Sequence, residues 1–227
     1  MLRFYGWHAG FPLLLGLLLL LVFETTALDR IVSDVFYDPV AGAFPLRRDW
    51  FLERIVHRGG KYLVVAVALA ALAVVVLSCV RAGARPLRRP ALYVVLCLAL
   101  GPGLVAGLKT VTNKHCPYDL AVYGGFAEYT RLLDAAPPGE RPGRCFPGGH
   151  ASGGFALMAF YFVWRRRRAS WAATALVGGF AYGFTIGFGR VMQGAHFLSH
   201  NLWAALVCWF VALILWRLML YDNSGSS

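Results

Sequence analysis

Charge is scarce in this chain. Only 15% of the 227 residues are Asp, Glu, Lys or Arg, against 59% hydrophobic, and the mean hydropathy is +0.60. A soluble domain of this size has too little interior to hide that much apolar surface, so a water-soluble globule is excluded. Acidic residues are scarcest: 11 Asp and Glu stand against 22 Lys and Arg, for a net charge of +11. There is no internal repeat, and no polar stretch long enough to form a second, soluble domain. The first apolar run has no small-x-small cleavage site and matches the later runs in length. It therefore reads as a membrane helix rather than a signal peptide.

The apolar residues come in blocks. They run from Phe11 to Ala27, Tyr62 to Val80, Ala91 to Leu108, Ala151 to Trp164, Trp171 to Phe188 and Phe197 to Leu220. Several reach the ~20 residues needed to cross a bilayer core. The fourth is shorter, but four arginines follow it and can snorkel to an interface. The expected fold is an all-α integral membrane protein: one domain over residues 1–222, with six transmembrane helices in a bundle. Asn223 to Ser227 are small and polar and read as a disordered end or an appended remnant.

The distribution of charge gives an orientation. Arg81, Arg85, Arg88 and Arg89 share one connection with no acid, and Arg165 to Arg168 form another. By the positive-inside rule these two connections are cytoplasmic, and both termini with them. The first, third and fifth connections then face the other side. Nucleic-acid binding is set aside, because the arginine clusters are short and lie between apolar spans.

In the first outward connection, residues 45–60 can form a short amphipathic helix. Leu46, Trp50, Phe51, Ile55 and Val56 share one face, and Gly59-Gly60 form its end. It is expected to lie in the membrane interface as a surface anchor. His8 and His57 read as interfacial and uninvolved. The third connection holds Cys116 and Cys145. On an oxidising outer face these two predict a disulfide, with two free thiols as the alternative. Cys79, Cys97 and Cys208 lie within apolar spans, where cysteine packs as a small hydrophobe.

Three segments at span ends carry groups suited to phosphate. They are Lys109 with Cys116-Pro117, then Pro147-Gly148-Gly149-His150, then Gly189-Arg190 through His196 to His200. The topology puts all three on the outward side. Lys109 and Arg190 can bind nonbridging oxygens and the charge that develops on them. Gly148 and Gly149 can bring backbone N–H groups close. Histidine suits attack and protonation, because its pKa lies near working pH.

In these motifs the chain resembles the type 2 phosphatidic acid phosphatases. Their pattern is Lys-x6-Arg-Pro, then Pro-Ser-Gly-His, then Ser-Arg-x5-His-x3-Asp. Order and spacing agree over about residues 60 to 220. The resemblance implies that His196 is the nucleophile, forming a phosphohistidine, and that His150 is the general acid. It implies that Lys109, Arg190 and the Gly149 backbone cradle the phosphate. No metal and no cofactor are implied. The implied activity is a lipid-phosphate phosphatase of the bacterial inner membrane with a periplasmic site. Its partners are the lipid substrate and the bilayer; the oligomeric state stays open. A phosphotransferase using the same intermediate, or a non-catalytic headgroup-binding protein, are the alternatives.

The chain departs from the pattern at four positions. Gly148 and Gly189 replace serines, and Cys116 replaces the first-motif arginine, with Lys114, His115 or Arg144 as candidates for its task. His200 replaces the aspartate that orients the nucleophile. A neutral His200 is expected to accept the N–H of His196, and Asp119 is a candidate carboxylate. The four-residue spacing of His196 and His200 also suits a metal pair, but a nearby arginine repels a cation.

Overall fold

The computed structural model describes residues 2–221, and the Asn223–Ser227 tail lies outside them. In chain order the helices are α1 (Leu2–Thr25), α2 (Leu28–Asp34), α3 (Phe51–Val80), α4 (Ala82–Val111), α5 (Gly149–Ala156), α6 (Ala159–Trp164), α7 (Ala169–Met192) and α8 (Leu198–Met219). Five of them, α1, α3, α4, α7 and α8, are long and apolar enough to cross a membrane. Among the described residues there is no strand, only two isolated bridges, Asp38 with Ala43 and Leu120 with Ala127. This is an all-helical protein of membrane type. A helix satisfies its own backbone polar groups, which hydrocarbon requires.

The expected span over Ala151–Trp164 is not one continuous helix. It is split into α5 and α6 at Leu157–Met158, where the amides of those residues bond three residues back, to Gly154 and Phe155 (3.1 and 3.0 Å). The cause lies in the packing against α7. A Cβ placed on Gly154 would sit 2.6 Å from Gly183 Cα, and one on Gly179 would sit 2.7 Å from Met158 N. The two backbones touch through glycine. In lipid, where apolar side chains gain little by leaving the solvent, such close packing is a main source of helix association.

The expected end of the amphipathic segment at Gly59-Gly60 is also corrected. Both glycines are right-handed helical, and the π-helical turns Phe51–Gly59 run on into the rest of α3. Trp50, Phe51 and Ile55 are exposed. Leu52 and Val56 instead approach Gly189 of α7, 3.6 and 3.5 Å from where its Cβ would lie.

One core fills the bundle. It joins Tyr93, Cys97 and Val105 of α4 to Phe155 of α5, Phe162 of α6, and Ala204, Cys208 and Trp216 of α8. The two ends of the bundle differ. At one end the Arg165 guanidinium stacks over Phe4 (4.2 Å) and Trp216 (5.0 Å), so the polyarginine turn meets the start of α1 and the end of α8. At the other end a second cluster, Phe44, Leu120, Tyr123, Ala127 and Phe197, anchors the long loops. Here Asp29 holds the first turn of α8, accepting from Ser199 N (2.9 Å) and Ser199 Oγ. Burial raises the Asp29 pKa from 3.8 to about 6, against the Ser199 hydrogen bonds that lower it.

Candidate active site

The loop end of the bundle gathers residues from five elements. Lys109 stands in the last turn of α4, His150 in the first turn of α5, and Arg190 in the last turn of α7. His196 lies in the link to α8, and His200 in the first turns of α8. His150 keeps an exposed face, whereas His196 and His200 are 2% and 5% exposed. The reacting surface is therefore open on the His150 side and closed behind His196.

His150 Nδ1 lies 3.3 Å from His196 Nε2. Lys109 Nζ borders the same spot, 3.2 Å from where a Cβ on Gly149 would lie. A side chain at Gly149 would press on the lysine, so glycine keeps the ammonium close to the helix N-terminus. Gly148 behaves differently from expectation. Its N–H donates to His200 O (2.7 Å) and is not free for a ligand. It is a packing residue: a Cβ there would lie 2.5 Å from Asn201 Oδ1 and 3.1 Å from His200 O. Asn201 occupies the space that a serine side chain would need here.

Arg190 Nη1 bonds Gln193 Oε1 (2.8 Å) and Glu53 Oε2 (3.0 Å). Arg190 Nε and Gln193 Nε2 are buried donors without an acceptor in the protein. That donor pair fits the oxygens of an anion. Glu53 also pairs with His57 Nδ1 (3.3 Å), and the His57 ring meets His150 edge to face at 4.4 Å. His57, read as interfacial and uninvolved, thus stands against His150. Glu53, His57 and Gln193, which contact the candidate site residues, were not singled out from the sequence. The one signal for the first two was their i, i+4 spacing on an amphipathic turn.

The predicted disulfide between Cys116 and Cys145 is present, with Cα atoms 5.2 Å apart. It pinches the base of the third connection, helped by Cys145 N donating to Lys114 O (2.8 Å) and Gly143 N to Asn113 Oδ1 (2.7 Å). None of the proposed substitutes for the first-motif arginine is seen in contact with the histidines. Lys114 Nζ bonds the Arg131 and Asp134 carbonyls, His115 faces Glu140 (3.6 Å), and Arg144 is exposed. Asp119 accepts from Cys116 N (3.4 Å) and caps its own short turn, so it supplies no carboxylate to the histidines.

His200 does not take the N–H of His196. Their rings cross edge to face at 5.8 Å, and His200 Nδ1 is buried without a partner. His196 Nδ1 instead lies 3.2 Å from Cys145 Sγ. Burial holds the His196 pKa well below its ordinary value, and the charges around His200, Lys109, His150 and Arg190 push the same way. The ring is therefore neutral and its free nitrogen is available as a nucleophile. Among the described residues one trio of metal-type donors, from Cys116, Cys145 and His196, lies within 4.8 Å of one another. Both sulfurs are bonded to each other, so they offer a cation no thiolate.

An all-helical, membrane-type bundle that brings a lysine, an arginine and two touching imidazoles to one end is an arrangement suited to binding an anion such as a phosphate ester. The family model of the PAP2 superfamily matches residues 90–224, and the chain belongs to that superfamily, whose members are phosphatases. Comparisons with curated proteins and with solved structures found no match to this chain.

Proposed function

We propose that this protein is a phosphatase for a lipid phosphomonoester or pyrophosphate, working through a phosphohistidine on His196. The observation that carries the proposal is the imidazole pair, His150 Nδ1 against His196 Nε2 at 3.3 Å, with Arg190 and Lys109 as the cations nearby. The phosphoryl group enters between the rings and replaces their contact. The guanidinium of Arg190, the Lys109 ammonium and the N–H groups opening α5 hold its oxygens.

His196 Nε2 attacks phosphorus in line, and the ester P–O bond breaks with its electron pair on the leaving oxygen. Burial, with the Arg190 charge, lowers the His150 pKa to about 3 in the free protein. In this reading His150 takes up its proton beside the bound phosphate anion and gives it to the leaving oxygen, which otherwise departs as a strongly basic alkoxide. Water then attacks the phosphohistidine, with His150 taking its proton. The N–P bond breaks, and inorganic phosphate and free His196 result. A metal has no part in this reading.

A lipid substrate is supported by position. The histidines lie at the ends of apolar helices, and the α3 turn that reaches them through His57 and Glu53 also carries the exposed Trp50, Phe51 and Ile55. The arginine-rich turns at the opposite end support cytoplasmic termini and a periplasmic site.

The test is phosphate release by purified protein from a panel of lipid phosphates, with and without EDTA and vanadate. The proposal expects release that survives EDTA, is blocked by vanadate and vanishes in His196→Ala. Full activity in His196→Ala would remove the nucleophile from this reading. Label transferred to an acceptor lipid instead of water would make the protein a phosphotransferase, and tight binding without turnover would make it a headgroup-binding protein.

A further inference from the structure

His196 is enclosed, so both of its ring nitrogens need partners. Nε2 faces His150 Nδ1. For Nδ1 the neighbours can be eliminated in turn. His200, where the family pattern has a carboxylate, makes only a ring contact. Asp29 is engaged by Ser199, and Glu53 by Arg190 and His57. What remains is Cys145 Sγ at 3.2 Å. This sulfur is bonded to Cys116 and carries no hydrogen, so it can only accept. A hydrogen bond between the sulfur and the ring places the proton on His196 Nδ1. That leaves Nε2 with the lone pair, able to accept from His150 Nδ1–H.

We propose that the Cys116–Cys145 disulfide is a positioning group of the active site: Cys145 Sγ accepts the Nδ1–H of His196 and fixes the tautomer in which Nε2 is the nucleophile. The proposal rests on the reading of His196 as nucleophile. The disulfide does the orienting half of what a carboxylate does in a histidine–carboxylate pair. It does not do the other half, because a neutral sulfur gives an imidazolium no charge stabilisation. The groups that face His196 are Lys109 from α4, His150 from α5, Arg190 from α7 and His200 from α8, none of them anionic. The carboxylate that acts on His150, Glu53 of α3, is paired with Arg190. The site therefore keeps its nucleophile neutral and reactive to lower pH than a carboxylate-paired site would. It also leaves the phosphohistidine, whose ring is cationic when Nδ1 is protonated, less stabilised and readier to be hydrolysed.

Two double variants separate positioning from simple cross-linking. Cys116→Ala/Cys145→Ala removes both the cross-link and the acceptor. Cys116→Ala/Cys145→Asp removes the cross-link but puts a carboxylate beside Nδ1. Each is assayed for kcat over pH, and for vanadate binding to check that the site is still built. The expectation is a loss of kcat of about 10- to 100-fold in the alanine pair, the usual cost of removing a group that orients a functional histidine. The aspartate pair should recover most of that loss. Its acidic limb should move up by about one pH unit, because a carboxylate favours the charged ring.

Equal loss in both pairs with an unmoved limb would reduce the disulfide to a loop tie, and wild-type kcat in the alanine pair would remove it altogether. A third measurement needs no variant to fold: ¹⁵N shifts of labelled wild-type protein should show His196 protonated at Nδ1. The opposite tautomer overturns the positioning role even in an active enzyme. Activity surviving His196→Ala overturns the nucleophile instead, so the two failures are distinguishable.

Discussion

Restoring the family serine at Gly148 should damage this protein, because another residue stands where the serine side chain would go. A Cβ on Gly148 would lie 2.5 Å from Asn201 Oδ1, closer than real Cβ contacts come, and 3.3 Å from Asn201 Cα, which is tight. The asparagine cannot swing away freely. Its Nδ2 donates to Gly187 O (3.1 Å), and its Cγ is 2.7 Å from where a Cβ on Gly187 would lie. Overpacking of this kind costs about 1–3 kcal/mol. For a chain of this length, about 2 kcal/mol lowers the unfolding midpoint by about 4–8 °C. In an Asn201→Ala background only the tight backbone approaches to His200 O (3.1 Å) and Asn201 Cα (3.3 Å) remain, and most of the cost of the same serine should disappear. The assay is a double-mutant cycle on apparent midpoints in one detergent, expected to return a coupling of about 2 kcal/mol. Additive effects of the two substitutions, or a Gly148→Ser protein that melts with the wild type, would refute the packing argument. Phosphatase activity read on the same samples shows whether the serine hydroxyl adds a phosphate contact once it fits.

Other perturbations have equally definite signs. Glu53→Gln removes the anion that holds Arg190 at 3.0 Å. The carboxylate is about one-third exposed, so the pair is worth about 1 kcal/mol; the freed guanidinium should tighten inorganic phosphate inhibition by about fivefold, and an unchanged Ki would deny Glu53 that role. Asp29→Asn should flatten the dependence of stability on pH. The Asp29 pKa is raised on folding from 3.8 to about 6, so its contribution is fully present below the lower value and is lost as pH rises through the upper one. The shift corresponds to roughly 3 kcal/mol at most, and parallel melting curves for the two proteins between pH 4 and 7 would contradict it. Lys109→Met should raise the KM for a phosphomonoester more than tenfold while leaving the fold intact, since its ammonium lies beside Gly149 at the outer end of the bundle.

Much of this architecture could be read from the residues, because its causes are local. Blocks of apolar residues mark spans wherever they lie, and arginine-rich turns mark one end of a bundle. Two cysteines in one outward loop suffice to suggest a bridge. The misreadings fall where contacts between distant segments decide. No proline interrupts Ala151–Trp164; the helix tightens at Leu157–Met158 because glycines of α7, some 25 residues later, press against its backbone. His57 looked interfacial because its partner His150 is far along the chain. Glu53 reaches Arg190 across 137 residues. His200, by contrast, was expected to contact His196 from spacing alone. Four residues apart places two side chains on one face only inside a helix, and α8 begins at Leu198, after His196.

The pinch at the base of the third connection has a consequence for how such a protein can change. Cys116 and Cys145 are joined 29 positions apart, so the chain between them is a closed excursion anchored on itself. Leu120, Tyr123 and Ala127 within it are held by the Phe44–Phe197 cluster, but past Asp134, around Pro137-Pro138-Gly139, residues can be inserted or removed at a loop-closure cost that grows only slowly with length. Lys109 just before the pinch and His150 just after it keep their separation throughout. The tip of the third connection can thus vary while the geometry around the two histidines is kept, and the stretch between Asp134 and Glu140 is the place for a graft that leaves the packed part of the loop alone.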